Sequence, residues 1–257
     1  MIDFYQNQLQ ENGVIHVKDF YSDEEIYSIK EAISDSCLKP SPFHHTTNSN
    51  EGSFYMDYYN WRRVNSLEKM CKYEKTTSFI KDLCETDNLW LFHDHILIKS
   101  GLAPATPWHH DRPYYIFDGK KNLSVWSPTN DVPSELGMIF LKGSHLTNKL
   151  YMPRSFRDGE ELGSDNDFDI IDDEVIDAFE KLTFDMKKGD VLVFLNNTIH
   201  SANAHSDNFE RQSLSVRYLV DKPSMTQKYI NATPPFDRLG VKVIEGDPVP
   251  EKFFPKL

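Results

Sequence analysis

The chain has 257 residues, of which 39% are apolar and 13% aromatic, and its formal net charge is −12. That length suits one large domain or two small ones, and the aromatic share favours strands over a helical bundle. The acidity excludes a broad polyanion-binding surface, so no nucleic-acid partner is expected.

In chain order, Phe4 to Gln10 reads as a short helix stopped by Asn12-Gly13, and Val14 to Val17 as a strand. Ser22-Asp23-Glu24-Glu25 is a capping box, and Ile26, Ile29, Ile33 and Leu38 mark the apolar face of the helix behind it. Residues 39–56, with Pro40, Pro42, Asn48, Asn50 and Gly52, read as a loop. Leu67 to Cys84 reads as two helical segments broken near Tyr73. From Leu89 the chain turns to strands: Leu89 to Lys99, Pro107 to Asp111, Leu123 to Trp126 and Met138 to Leu141. Residues 144–182 are mostly polar, with an acidic stretch from Asp158 to Glu180 and a short helix expected over Asp173 to Phe179. A long polar insertion of this kind reads as a lid, assigned here to 146–182. Leu182 to Met186, Val191 to Leu195 and Gln212 to Val220 complete the strands, with a tight turn at Lys188-Gly189-Asp190.

Helices come first and strands fill the remainder. The expectation is one domain over 1–257, mainly β with flanking α-helices. Helices over 1–88 would pack on a jelly-roll core, a double-stranded β-helix, over 89–220. Cys37, Cys71 and Cys84 are scattered and contain no Cys-x-x-Cys pair, which excludes a zinc ribbon and a disulfide scaffold. Met1 to Asn7 lacks the pattern of a signal peptide, and no apolar run has the length of a membrane span. A cytoplasmic protein with no membrane partner is expected.

The chemistry is expected at His109 and Asp111, one residue apart, together with His200. On a strand, residues i and i+2 share a face. An imidazole and a carboxylate on one face, joined by a distant imidazole, can cover one side of an Fe(II) ion and leave the other side open. An isolated His-x-Asp is more often an ordinary histidine beside an acid, so the wider pattern must decide. Arg211 begins a strand that runs to Tyr218, and an arginine aimed into a barrel is costly unless it meets an anion such as a carboxylate. His110 between the two ligands should point away from the metal by alternation.

The stretches Phe92 to Lys99, Thr106 to Tyr115, Val125-Trp126, Glu135-Leu136-Gly137, Lys142 to His145, Lys188 to Phe194 and His200 to Tyr218, in that order, resemble the phytanoyl-CoA dioxygenase family. The likeness extends to Asn12 to Ile15 and Phe20 to Glu25 and covers nearly the whole chain apart from 39–66 and 146–182. It implies an Fe(II)- and 2-oxoglutarate-dependent dioxygenase that uses O₂ to oxidise a substrate C–H bond and releases succinate and CO₂. It places the metal ligands on His109, Asp111 and His200, and the arginine for the far carboxylate of 2-oxoglutarate on Arg211. Trp126 falls on an aromatic position beside the co-substrate. The serine that relatives carry two residues after the distal histidine is Ala202 here, with Ser201 one position earlier as the candidate hydroxyl. A carboxylate at Asp111 leaves no metal position for chloride, so hydroxylation is favoured over halogenation.

For the substrate, His95, Arg62, Arg63, Arg112 and Tyr114 are the candidate contacts. Arg154 and Arg157, with Tyr55, Tyr58, Tyr59, Trp61 and Tyr115, lie in the same loops. Together they suggest a small polar metabolite with an anionic group. His93 and His95 also form a His-x-His pair, Lys99 either lines the pocket or ends a strand, and His44, His45 and His205 read as surface residues. His145 reads as closing a turn. The competing readings are a non-catalytic metal-binding jelly roll that senses or carries a small molecule, a Zn²⁺ isomerase or hydrolase, and the same oxygenase acting on an acyl-CoA or natural product.

Overall fold

The computed structural model describes residues 1–48, 52–156, 159–162, 168–205, 209–228 and 234–257; Arg157 lies outside them. The elements are α1 (Ile2–Asn12), β1 (Val14–Val17), α2 (Asp23–Leu38), β2 (His45–Asn48), β3 (Gly52–Tyr58), α3 (Asn65–Cys71), α4 (Glu74–Cys84), β4 (Leu89–Gly101) and β5 (Thr106–His109). They continue with β6 (Phe117–Asp118), β7 (Leu123–Pro128), β8 (Met138–Leu141), α5 (Asp173–Asp177), β9 (Lys181–Thr183), β10 (Val191–Leu195), β11 (His200–Ala202), β12 (Glu210–Val220) and β13 (Ser224–Met225).

Two antiparallel sheets form the barrel. One has the order β1-β10-β7-β12-β4-β3-β2 and the other β5-β11-β8-β9, the double-layered jelly roll expected of the sequence. Strand alternation divides the core in two. On β10, Val191 and Val193 face outward and pack with Ile26, Ile29 and Ile33 of α2, Leu67 of α3 and Ile80 of α4. Each such aliphatic side chain contributes on the order of 1.5–3 kcal/mol when fully buried. Leu192 and Phe194 face inward and meet Trp126 and Phe140 between the sheets. The capping box closes as read, with the Ser22 hydroxyl accepting from the Glu25 N–H and Glu25 accepting from the Ser22 N–H at 2.6 Å.

Several expectations are corrected. Residues 39–56 are not a loop throughout, because β2 and β3 form a hairpin that extends the large sheet past β4. Leu38 is 78% exposed at the end of α2, off its buried face. The strand expected over Leu182 to Met186 is β9, which stops at Thr183, and Met186 makes only a single bridge to Val132. All three cysteines are free. No helix among the described residues is long and apolar enough to cross a membrane.

Gly13 stitches the first strand to the loop before His200. Its carbonyl accepts from the Leu195 N–H at 3.0 Å and the Thr198 hydroxyl at 2.9 Å. Its φ is +79°, and an added Cβ would lie 2.5 Å from His145 Nδ1 and Thr198 Oγ1. Gly13→Ala is therefore expected to lower stability by roughly 2 kcal/mol, from left-handed backbone and overlap together. Chemical denaturation would read this as an earlier midpoint with an unchanged slope.

Candidate metal centre

His109 and His200 are direct cross-strand partners of β5 and β11. Their rings lie 4.2 Å apart between centroids. Asp111 arrives differently from the expectation of a shared strand face. β5 ends at His109, and Asp111 has helical φ and ψ at the start of a 3₁₀ turn over Arg112–Tyr114, with Pro113 in its first positions. The turn is pinned by the Arg112 N–H donating to the Asn196 carbonyl at 2.9 Å. It brings Asp111 Oδ1 to 3.8 Å from His109 Nε2. One ligand atom from each of His109, Asp111 and His200 can be chosen so that all lie within 4.8 Å, and all three side chains are buried.

The protonation states suit a metal. His109 Nδ1 lies 2.8 Å from the Pro107 carbonyl and His200 Nδ1 2.9 Å from that of Thr198. A carbonyl only accepts, so each Nδ1 carries the proton and each Nε2 lone pair is left for an ion. Burial pushes both imidazole pKa values down, that of His109 well below its usual range with help from neighbouring His200, so both rings are neutral. Burial alone would raise the Asp111 carboxyl, but the Arg217 guanidinium overcomes it and holds the group ionised. Two neutral imidazoles and a carboxylate are the donor set expected of a 2-His-1-carboxylate Fe(II) site with open positions.

The triad sits between two cavities. Asp111 opens on one of about 260 Å³, lined also by His45, Met56, Tyr58, Tyr114, Arg154 and Phe156. His109 and His200 open on a narrower one with Trp126, Ser201 and Arg211 on its wall. His95, Phe156 and Arg217 line both. Arg211 donates to the Leu136 carbonyl at 2.7 Å and lies 5.7 Å from the Trp126 ring centroid. Its Nε has no partner, and among the described residues no carboxylate pairs with it. Burial lowers its pKa to about 10, so the guanidinium stays charged. A buried cation without an acid is what an incoming dicarboxylate would satisfy. The Ser201 hydroxyl instead donates to the Thr106 carbonyl at 2.7 Å.

The substrate candidates divide. His95 is buried, stacked on Tyr58 at 4.1 Å between centroids, and on the wall of both cavities. The Tyr114 side chain lines the larger one, and its hydroxyl lies 2.7 Å from the Arg154 carbonyl. Arg62 is not on either wall; it lies over Trp61 and Phe253. Arg63 turns to Asn60 and to the buried Asp57, 3.8 Å away. Arg112 pairs with Asp118 at 3.0 Å and faces a separate recess with Lys120, Lys121 and Lys222. The segments carrying these three arginines turn them to the surface, so their placement at the barrel mouth is corrected.

Other histidines also move. His45 lines the larger cavity and His205 is buried against Phe209, so neither is an ordinary surface residue. His93 packs against Phe92 and reaches neither cavity wall. His110 turns away from the triad and accepts from the Tyr151 N–H at 3.0 Å. His145 closes its turn through the Gln10 carbonyl at 3.1 Å. Lys99 ends on the Pro104 carbonyl at 2.7 Å, and burial, with Arg211 close by, lowers its pKa to about 6. The sequence reading missed Arg217 and Phe156. Arg217 shares the inward parity of Arg211 on β12, a signal that was present. Phe156, whose ring centroid is 4.5 Å from that of His109, lies in the polar insertion and carries none.

A family model described as phytanoyl-CoA dioxygenase matches residues 9–213. No curated protein sequence matches the chain. Among solved structures, the epimerase SnoN in complex with Fe3+, alpha ketoglutarate and nogalamycin RO is similar at TM-score 0.77 and 19% identity, over 98% of this chain and 97% of that one. The non-heme alpha ketoglutarate dependent carbocyclase SnoK from nogalamycin biosynthesis follows at 0.73 and 18%, over 98% and 94%. EctD from S. alaskensis in its apoform matches at 0.64 and 16%, over 83% and 75%. These likenesses bear on the fold, whereas the family match spans most of the sequence together with its buried triad. The chain belongs to the phytanoyl-CoA dioxygenase family and is a non-haem iron enzyme that uses 2-oxoglutarate.

Proposed function

We infer that the enzyme hydroxylates a C–H bond of a small polar metabolite carrying an anionic group. The observation that carries this reading is the triad's position between two cavities. His109 and His200 face the one with Arg211, and Asp111 faces the one with Arg154. His109, Asp111 and His200 would hold the iron. With 2-oxoglutarate and O₂, the iron would supply the oxidising power for C–H cleavage, with succinate and CO₂ as by-products.

The protein's own residues do the rest. Arg211 binds the far carboxylate of the co-substrate, and Trp126 walls the same slot. Arg154 lines the larger cavity, 27% exposed at its side chain and 3.7 Å from the exposed Glu161, and would exchange that acid for the anionic group of a substrate. Tyr58, Tyr114 and Phe156 supply flat apolar surface that excludes water and limits where a bound C–H can lie. The described residues of 146–182 serve as a lid, because Arg154, Ser155, Phe156 and Leu162 reach the cavity from that segment. A compact ligand suits this volume better than a long acyl chain.

The test is succinate release from 2-oxoglutarate with Fe(II) and O₂ across a panel of carboxylates, phosphonates, amines and acyl-CoA esters. Coupled turnover with a product one oxygen heavier is expected from a small anion. Arg154→Ala should raise its KM by about tenfold while sparing uncoupled turnover. Coupling only to an acyl-CoA overturns the substrate class, and a product of unchanged mass overturns hydroxylation. Ligand binding without succinate would leave the sensor or carrier reading.

A further inference from the structure

Among the described residues, Arg217 is the one guanidinium that touches the triad. It stands on β12 opposite Ser124 of β7 and is 9% exposed. Nε donates to Asp111 Oδ2 at 3.2 Å and Nη2 to Oδ1 at 3.1 Å. The third nitrogen, Nη1, lies 3.2 Å from His95 Nδ1. A guanidinium only donates, so His95 accepts there and carries its own proton on Nε2.

The two oxygens of Asp111 are not equivalent. Oδ1 is the one 3.8 Å from His109 Nε2. Oδ2 takes a second donor, the Ser124 hydroxyl at 3.2 Å. Arg217 on β12 grips both oxygens, but only Oδ2 takes the further donor from β7, and Oδ1 is the oxygen beside His109. We propose that Arg217 is a positioning residue of the iron centre, its fork fixing the plane of the Asp111 carboxylate so that, with Ser124 on Oδ2, Oδ1 is the oxygen turned toward the imidazoles.

The consequence is a matter of room. Two imidazoles and one carboxylate oxygen would hold the ion and leave its other positions for a chelating co-substrate and the oxidant. A carboxylate that turned both oxygens to the metal would take a place needed by one of them. A plain counter-ion to a buried acid would need charge only. The fork, the Ser124 hydroxyl on the same oxygen and the His95 anchor on the third nitrogen are what a directional role requires.

The inference rests on His109, Asp111 and His200 being the ligands. The experiment titrates the metal-free full chain with Co(II), a redox-stable stand-in for Fe(II), and follows its d–d absorption. Wild-type, Arg217→Lys, Arg217→Gln and Ser124→Ala proteins are compared, with folding checked by thermal unfolding. Arg217→Lys keeps the charge and loses the fork, so its Co(II) affinity should fall at least about tenfold and its spectrum should change shape. Arg217→Gln should fall further, and Ser124→Ala by about threefold. Wild-type affinity and a superimposable spectrum in folded Arg217→Lys overturn the proposal. If that variant does not fold, unchanged affinity and spectrum in Ser124→Ala overturn it. Wild-type protein that takes no Co(II) would sink the ligand assignment itself, a result separate from any effect confined to the variants.

Discussion

Replacing His200 with alanine should abolish iron binding while leaving a folded protein. Removing an outer-shell partner of a metal ligand costs roughly 10–100-fold in affinity, so loss of a ligand should cost at least ~100-fold. His200 lies in the middle of the small sheet, but its backbone pairing with His109 and Phe140 does not depend on the ring. The ring is neutral in the metal-free state, so no charge is stranded by its removal. The apo thermal midpoint should therefore move by only about 2–4 °C, the effect of roughly 1 kcal/mol in a chain of this size. Metal analysis and anaerobic Fe(II) titration read the binding, and near-normal iron content with normal turnover would reject the triad.

Arg211→Ala should have the second largest effect, acting on the co-substrate. The guanidinium is buried, and the described residues offer it no acid, only the Leu136 carbonyl and the face of Trp126. Loss of one partner of a desolvated charged pair costs on the order of 2–5 kcal/mol, so 2-oxoglutarate affinity should drop at least tenfold. The same substitution removes an uncompensated buried charge from the free protein. Its stability should hold or rise, since a buried ion without a counter-charge opposes folding. Calorimetric titration with 2-oxoglutarate alongside thermal unfolding separates the two. Unchanged affinity in the folded variant would reject the role.

Much of this centre is legible in the sequence because its parts are local patterns. Ser22 to Glu25 announces a helix start in four residues, and the alternation along Val191 to Leu195 and Gln212 to Val220 sorts side chains to two faces. The i, i+2 argument for His109 and Asp111 brings the right residues together for a reason the structure replaces. The strand ends between them, and a proline-led turn swings Asp111 inward. Arginine roles were the least legible. Arg62, Arg63 and Arg112 look like pocket residues by composition, yet each turns to a partner away from the two cavities, decided by tertiary approach. Arg217 could have been found by carrying the parity of Arg211 six residues along β12. Phe156 and His45 reach the cavity through chain paths that no periodicity encodes.

The stitch at Gly13 has a consequence for biosynthesis. Its carbonyl holds Thr198, whose own carbonyl fixes the His200 ring, across 185 residues of sequence. β1 lies at the edge of the large sheet against β10, so an early strand waits for one made far later. On a ribosome releasing on the order of 5–20 residues per second, β1 remains without its partner for roughly ten seconds or more. His109 and Asp111 are made about midway through that wait, still without the distal imidazole. The triad is therefore complete only once β11 has been made, when most of the barrel exists.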